Sequence, residues 1–184
     1  SKVINFLLKM KMDKKYLEHV MTSGEAAMQA INQKKFGKTF YHLGPARDTS
    51  VFEKVKDNRT DLESCDFILC TGLFDDYDDN LDYYKKLLLN HVSKKLICTN
   101  PDLIVHRGSV EELCAGSVAK VFEDLGGEVI YFGKPHKEVY NLCFGSNEKV
   151  LAIGDNLRTD IKGANNLKID CICLLYTSPS PRDS

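Results

Sequence analysis

The sequence predicts an α/β protein built around parallel β-strands. After residue 38, short apolar segments typical of strands alternate in strict order with segments of helical periodicity. The apolar segments are continuous rather than alternating, as expected for a sheet covered on both faces. The 184 residues are 43% hydrophobic and 28% charged, which indicates a globular chain of one ordinary domain or two small ones.

Before residue 38 we expect two helices around a short strand. Residues 2–11 carry apolar side chains at helical spacing, residues 17–21 are a strand candidate, and Thr22 and Glu25 form a capping box that starts the second helix. Further strands are predicted at 38–43, 66–71, 95–99, 128–132, 149–153 and 169–175, and further helices at 49–56, 80–91, 115–125, 136–144 and 159–166.

Composition excludes several classes of protein. The 25 basic and 26 acidic residues give a net charge of -1, so the basic excess of a dedicated nucleic-acid binder is absent. The longest apolar runs are about six residues, far below the length of a membrane span, and the start lacks the pattern of a signal peptide. Most of the seven cysteines lie in apolar runs, which favours reduced thiols in a cytoplasmic protein.

Two acidic residues follow the strand predicted at 149–153. Asp155 comes directly after Gly154, and Asp160 follows five residues later at a predicted helix start. Carboxylates at the carboxyl end of a parallel strand lie where open α/β sheets bind ligands, and two of them suit Mg²⁺. The alternative is purely structural, with Asp155 ending a strand and Asp160 capping a helix.

A basic residue follows the preceding strand in the same way. Gly133-Lys134-Pro135 comes after the strand predicted at 128–132. A lysine there offers a fixed positive charge to a phosphate or a carboxylate, although a solvated lysine is the alternative interpretation. Lys134 and Asp155 are 21 residues apart, enough for one helix and one strand. We therefore expect both at the carboxyl ends of adjacent parallel strands.

These motifs resemble motifs III and IV of the haloacid dehalogenase-like hydrolases, most closely the class IIA, NagD-like phosphatases. Gly133-Lys134-Pro135-His136 resembles motif III, and the segment 154–161 resembles motif IV. Thr99-Asn100-Pro101-Asp102 is similar to a segment between cap and motif III, and the Thr22 capping box is similar to the helix start after motif II. The resemblance covers roughly residues 1–175.

The resemblance implies a Rossmann-like parallel-sheet core, here incomplete, with an inserted α/β cap domain. Residues 1–33 and 130–175 would be core, and residues 34–129 the cap. The tail 176–184 is expected to be disordered and non-native. Motif I, an Asp-x-Asp-Gly, and motif II would precede Thr22, and neither is found there. The chain is therefore expected to be a fragment that begins just after motif II.

The resemblance also implies roles for individual residues. Lys134 would pair with the nucleophile and the substrate phosphate, Asp155 would bind Mg²⁺, and Asp160 would support the metal shell directly or through water. Asn100 and Asp102 would face the mouth of the site as substrate-binding groups, although Asn-Pro-Asp is also ordinary turn chemistry.

Three further candidates are weaker. His106 and His136 could contact a phosphate, but a surface or helix-start position is the favoured interpretation of each. Asp76-Tyr77-Asp78 has the spacing of motif I, but Asp79 replaces the glycine. We interpret it as a solvated loop before the 80–91 helix.

The function predicted for the parent protein is a Mg²⁺-dependent phosphatase of small phosphorylated metabolites acting through an aspartyl-phosphate, with the fragment itself inactive. The alternative is a non-catalytic Rossmann-like module that binds a phosphorylated ligand. A small phosphorylated metabolite is the expected partner, without nucleic acid or membrane, and a homo-oligomer is left open.

Overall fold

A computed structural model describes residues 2–107, 110–145 and 147–174. The helices are α1 (Lys2–Lys9), α2 (Ser23–Asn32), α3 (Leu81–Leu88), α4 (Ala115–Asp124), α5 (Lys137–Tyr140) and α6 (Lys162–Leu167). The strands are β1 (Phe40–Leu43), β2 (Phe67–Cys70), β3 (Lys95–Cys98), β4 (Ile104–Arg107), β5 (Val110–Leu113), β6 (Glu128–Tyr131), β7 (Leu151–Gly154) and β8 (Asp170–Cys173). The predicted tail lies outside the described residues.

The main sheet has four parallel strands in the order β1-β2-β3-β6. One face packs against α3 and α4 through a core that includes Ile68, Leu96 and Phe122. The other face packs against α2 through Phe67 and Ile97. Both faces are thus buried, which explains why these strands are continuous apolar runs. The predicted parallel α/β architecture is confirmed.

Two smaller sheets accompany the main one. Strands β4 and β5 form an antiparallel hairpin between β3 and α4, which the sequence did not predict. Strands β7 and β8 form a parallel pair. One face of this pair is half-buried beneath the Leu157–Ile161 π-helical turn and α6. Its other face is exposed and carries four apolar side chains, Leu151, Ile153, Ile172 and Leu174.

The predicted topology needs one correction. The strand before Lys134, β6, pairs with β3 in the main sheet, whereas the strand before Asp155, β7, pairs with β8. The prediction that these two strands are neighbours is therefore wrong. Apolar periodicity locates a strand but does not identify its partner. The domain boundaries at 33/34 and 129/130 remain predictions, and the second of them falls within β6.

Differences from the predicted elements are local. Residues 17–21 contain a bend and a turn rather than a strand, with Leu17 buried. The helix predicted at 49–56 is replaced by two 3₁₀ segments, Ala46–Val51 and Glu53–Asn58. The capping box of α2 forms as predicted, since Thr22 Oγ1 accepts from the Glu25 amide at 3.1 Å and Glu25 Oε2 accepts from the Thr22 amide at 3.2 Å. No helix in the described part of the chain is long and apolar enough to cross a membrane.

Candidate functional site

Lys134 and Asp160 lie in contact although 26 residues separate them in the chain. Lys134 Nζ donates to Asp160 Oδ1 at 2.5 Å. The Asp160 side chain is 11% exposed and the Lys134 side chain 54% exposed. The pair therefore holds a buried carboxylate beneath an ammonium group that still faces solvent.

Asp160 is held in place by the turn that follows β7. Asn156 caps this turn, its Oδ1 accepting from the Arg158 amide at 2.8 Å. The Asn156 amide donates to Asp160 Oδ2 at 3.2 Å, so both carboxylate oxygens of Asp160 have partners. Gly154 leaves the space for this arrangement, because a Cβ there would stand 2.3 Å from the Asp160 Cβ.

The loop that carries Lys134 is tightly packed at its first residue. Gly133 has φ +141°, a conformation that side chains rarely adopt. A Cβ on Gly133 would lie 2.6 Å from Pro101 Cδ. The His136 amide donates to the Gly133 carbonyl at 2.9 Å and closes the loop. Steric packing and a backbone hydrogen bond thus fix the path of the chain on either side of Lys134.

His136 lies in this loop without contacting the Lys134–Asp160 pair. Its ring stacks on Tyr131 with centroids 4.6 Å apart and planes 16° apart. Burial lowers the pKa of His136, which favours the neutral imidazole. A structural role at the start of α5 accounts for these contacts. The side chain of His106 lies outside what the structure describes.

Asp155 lies at the carboxyl end of β7 and is exposed. It makes no hydrogen bond or ion pair within residues 2–107, 110–145 and 147–174. Asp155 and Asp160 therefore differ, since one offers an available carboxylate and the other is already engaged. Lys134 comes together with Asp160, the second acidic residue of the motif.

Asn100 and Asp102 lie in the turn after β3. Asn100 Oδ1 accepts from the Asp102 amide at 3.2 Å, and the Asp102 carbonyl accepts from the Gly116 amide of α4 at 3.1 Å. The turn chemistry considered from the sequence is thus present. Asn100 also lines a cleft of about 440 Å³, which leaves its substrate-binding role a prediction.

This cleft lies at the carboxyl ends of β1, β2 and β3. Most of its charged lining residues are acidic, and Arg47 is paired to Asp75 in the lining. Sequence reasoning missed Arg47 and Thr71, although Arg47 lies shortly after the strand predicted at 38–43 and Thr71 ends the strand predicted at 66–71. Neighbouring His42 hydrogen-bonds Thr71 Oγ1 through Nε2 at 2.9 Å. Burial, aided by Arg59, lowers the pKa of His42 to about 4.

The Asp76-Tyr77-Asp78 segment forms a 3₁₀ turn, Asp75–Tyr77, beside the cleft. Asn80 caps the next helix, α3, by accepting from the Tyr83 amide at 3.0 Å. Among the described residues, the hydrogen bonds and ion pair of Lys134 and Asp160 do not involve this segment. The interpretation as a loop before the helix remains the better one.

Magnesium can be tested against the donors near Lys134. The described residues include no cluster of three or more His, Cys, Asp or Glu side chains able to hold a metal. Mg²⁺ is commonly bound by one or two carboxylates together with waters and substrate phosphate. The exposed Asp155 fits such a donor. Asp160 fits better as a supporting group, because its oxygens hold Lys134 and the Asn156 amide.

The family comparisons agree with these motifs. The model of a haloacid dehalogenase-like hydrolase family matches residues 131–182, which include Lys134, Asp155 and Asp160. No curated protein sequence matches the chain significantly.

Solved structures give similarity over most of the chain. A haloacid dehalogenase-like hydrolase from Brucella suis is 30% identical, with a TM-score of 0.74. The match covers 86% of this chain and 65% of the Brucella chain. A 4-nitrophenylphosphatase from Thermotoga maritima is 30% identical with a TM-score of 0.64, covering 89% and 64% respectively. NagD from Escherichia coli, 24% identical with a TM-score of 0.63, covers 89% and 64% and supports the fold alone.

The chain thus spans about 65% of the length of the Brucella protein. The similarity to the Brucella structure includes the parallel sheet, whereas the family model matches only the segment that carries Lys134, Asp155 and Asp160. Residues 131–182 thus match a haloacid dehalogenase-like hydrolase family, and the fold of the chain is similar to that of the Brucella protein of this family.

Proposed function

We propose that this chain carries part of the active site of a Mg²⁺-dependent phosphatase that acts on small phosphorylated metabolites. The observation that carries the proposal is the contact between Lys134 and Asp160, with the exposed Asp155 on the strand before them. The phosphatase named among the similar structures supports the reaction class.

Lys134 is suited to bind the substrate phosphate. Its ammonium group has three N–H donors, and one of them is used in the ion pair with Asp160. The remaining donors are available because the side chain is about half exposed. A charge-assisted bond from these donors to a phosphoryl oxygen would hold the substrate and offset its negative charge.

Asp160 keeps Lys134 in place during this binding. The carboxylate is buried and fixed by the Asn156 amide, so it cannot follow a mobile lysine without losing that bond. The positive charge of Lys134 is thus held at one position, which a freely rotating surface lysine would not achieve.

Asp155 would hold Mg²⁺, with Asp160 supporting the metal shell. When bound, the ion would polarise a phosphoryl oxygen and offset the charge of the substrate phosphate. Asp155 suits this role because it is exposed and at the carboxyl end of a parallel strand.

The chemical step by the route of this family needs a carboxylate nucleophile that becomes an aspartyl-phosphate. Asp160 is occupied by Lys134 and Asp155 is assigned to the metal, so neither is proposed as the nucleophile. We therefore expect the chain as printed to bind inorganic phosphate and Mg²⁺ without hydrolysing p-nitrophenyl phosphate.

Isothermal titration with inorganic phosphate, with and without Mg²⁺, tests this proposal. Lys134→Ala should abolish phosphate binding, whereas Lys137→Ala, an exposed lysine three residues further on, should not. Asp155→Asn should remove the Mg²⁺ dependence. The matched control is Asp170→Asn, an exposed carboxylate in the paired strand β8 but at its amino end.

Each outcome decides between the two functions considered. If Mg²⁺ changes the phosphate affinity of Asp155→Asn and of Asp170→Asn to the same extent, the metal assignment is wrong. Phosphate binding through Lys134 that ignores Mg²⁺ would favour a non-catalytic module for phosphorylated ligands. Hydrolysis of p-nitrophenyl phosphate that is lost on Asp76→Asn would place the nucleophile in the 3₁₀ turn beside the cleft.

A further inference from the structure

We infer that Pro101 is a positioning residue for Lys134, linking the Asn100–Asp102 turn to the proposed phosphate-binding group. Its importance for substrate rests on the proposed function, but its contact with the Lys134 loop does not. Pro101 acts on Lys134 through Gly133, the residue before it.

The contact between Pro101 and Gly133 leaves no space for a side chain. A Cβ on Gly133 would stand 2.6 Å from Pro101 Cδ and 2.9 Å from Pro101 Cγ, closer than real Cβ atoms approach other atoms. Ser23 at the start of α2 lies 3.4 Å from the same point. The ring of Pro101 therefore bounds the path that the chain takes into Lys134.

Pro101 also packs closely against α4. A Cβ on Gly116 would lie 2.3 Å from the Pro101 carbonyl oxygen, and the Gly116 amide donates to the Asp102 carbonyl at 3.1 Å. The Phe132 amide donates to the Cys98 carbonyl at 2.8 Å, so β3 and β6 remain paired up to the two loops. The turn after β3 is thus a fixed support against which the Lys134 loop packs.

This arrangement links two parts of the molecule. Asn100, the residue before Pro101, lines the cleft at the carboxyl ends of β1, β2 and β3. Lys134 follows Gly133 and pairs with Asp160. A displacement of the turn would move Gly133 and weaken that ion pair, so the position of Lys134 depends on a residue outside its own loop.

The experiment measures the acetylation rate of Lys134 by acetic anhydride, read by mass spectrometry relative to Lys137 in the same molecule. Gly133→Ala introduces the clash and should raise the ratio about two- to fivefold, the factor that corresponds to losing an ion pair of this exposure. Asp160→Asn supplies the reference for complete loss of the pair.

Two further variants separate the clash from backbone strain. Gly126 also has positive φ, +92°, but a Cβ there meets nothing within 4 Å, so Gly126→Ala should leave the ratio unchanged. Pro101→Ala removes the ring atoms that clash, and the methyl group added at Gly133 fills part of the space that they leave. The double variant Pro101→Ala/Gly133→Ala should therefore have a lower ratio than either single variant. A double variant as reactive as Gly133→Ala would overturn the inference.

Pro101→Ala alone keeps the inference testable if Gly133→Ala fails to fold. Loss of the ring should loosen the Lys134 loop and raise the ratio, and an unchanged ratio in a folded protein overturns the role. In titrations with inorganic phosphate, the variants with a higher acetylation ratio should have a lower phosphate affinity. If the unaltered protein binds no phosphate, the proposed function fails, while the acetylation ratios still decide the role of Pro101.

Discussion

The four-stranded sheet and the β7–β8 pair are built from similar apolar strands but differ in how they are covered. Leu96 and Ile97 of β3 are 0% exposed, whereas Leu151 and Ile153 of β7 are 52% and 61% exposed. The main sheet has helices on both faces, and the pair is covered on one. An apolar strand sequence therefore indicates a parallel sheet without revealing how much of it is buried in this chain.

The candidate site draws on both regions. Lys134 follows a strand of the main sheet, and Asp160 follows a strand of the half-covered pair. The ion pair between them joins a well-supported loop to a less supported one. The variants below test this difference, beginning with the largest expected effect.

The same substitution in the two regions should give very different losses of stability. Leu96→Ala removes a side chain from the closed core and should lower the free energy of unfolding by about 2–5 kcal/mol. Leu151→Ala removes a side chain that is already half in water and should cost less than about 1 kcal/mol. Urea unfolding followed by circular dichroism gives both values, and equal losses would remove the proposed distinction.

Lowering the pH should destabilise the fold through protonation of His42, which lies in β1 of the main sheet. Burial lowers the pKa of this residue to about 4 in the folded protein, against 6.5 for the free side chain. Between these pH values the unfolded state binds the proton and the folded state does not, so stability is full above pH 6.5 and falls as pH drops towards 4. The loss from this group is about 2–3 kcal/mol.

Urea unfolding at pH 7 and at pH 4.5 measures this loss. His42→Gln keeps a polar group near Thr71 without a titrating ring and should flatten the pH dependence, whatever its effect at pH 7. His136→Gln serves as a comparison, because its ring lies in the Lys134 loop rather than in the sheet. A pH dependence unchanged by His42→Gln would show that other groups govern it.

Much of this fold could be predicted from the sequence, because each of the six parallel strands is a short apolar run. The β4–β5 hairpin could not, since its second strand is exposed and carries Glu111 and Glu112 where an apolar run would be needed. The order of the strands in the sheets could not be predicted either, since an apolar strand can pair with any of several other strands. That is why β6 was wrongly placed next to β7.

The candidate site was predictable in its composition but not in its contacts. The strand-Gly-Lys and strand-Gly-Asp patterns placed Lys134, Asp155 and Asp160 near strand ends. Which acidic residue meets Lys134 depends on the turn between Asn156 and Asp160, whose geometry three-dimensional packing decides. The role of Gly154 depends in the same way on how closely Asp160 approaches the backbone.

Gly154→Ala should disturb the less supported side of the site. Its Cβ would overlap the Asp160 side chain, so the Asp160 carboxylate must move and the β7–β8 end should lose about 1–3 kcal/mol, as in other overpacked sites. Gly126→Ala, which meets nothing within 4 Å, is the control for adding a methyl group. Hydrogen exchange should show the loss at β7 and β8, with the amides of β2 and β3 unchanged.

The smallest effect is expected on the exposed face of β7. Ile153→Lys places a charge where the side chain is 61% exposed, so the free energy of unfolding should change by no more than about 0.5 kcal/mol. The equivalent change in the buried strand, Ile97→Lys, should prevent folding, because it buries an unpaired charge. The four exposed apolar side chains on this face of the pair should also promote self-association. Light scattering at rising protein concentration should therefore show less association for Ile153→Lys than for the unaltered chain. A large loss of stability in Ile153→Lys would mean that this face is covered, and the contrast between the two sheets would then be wrong.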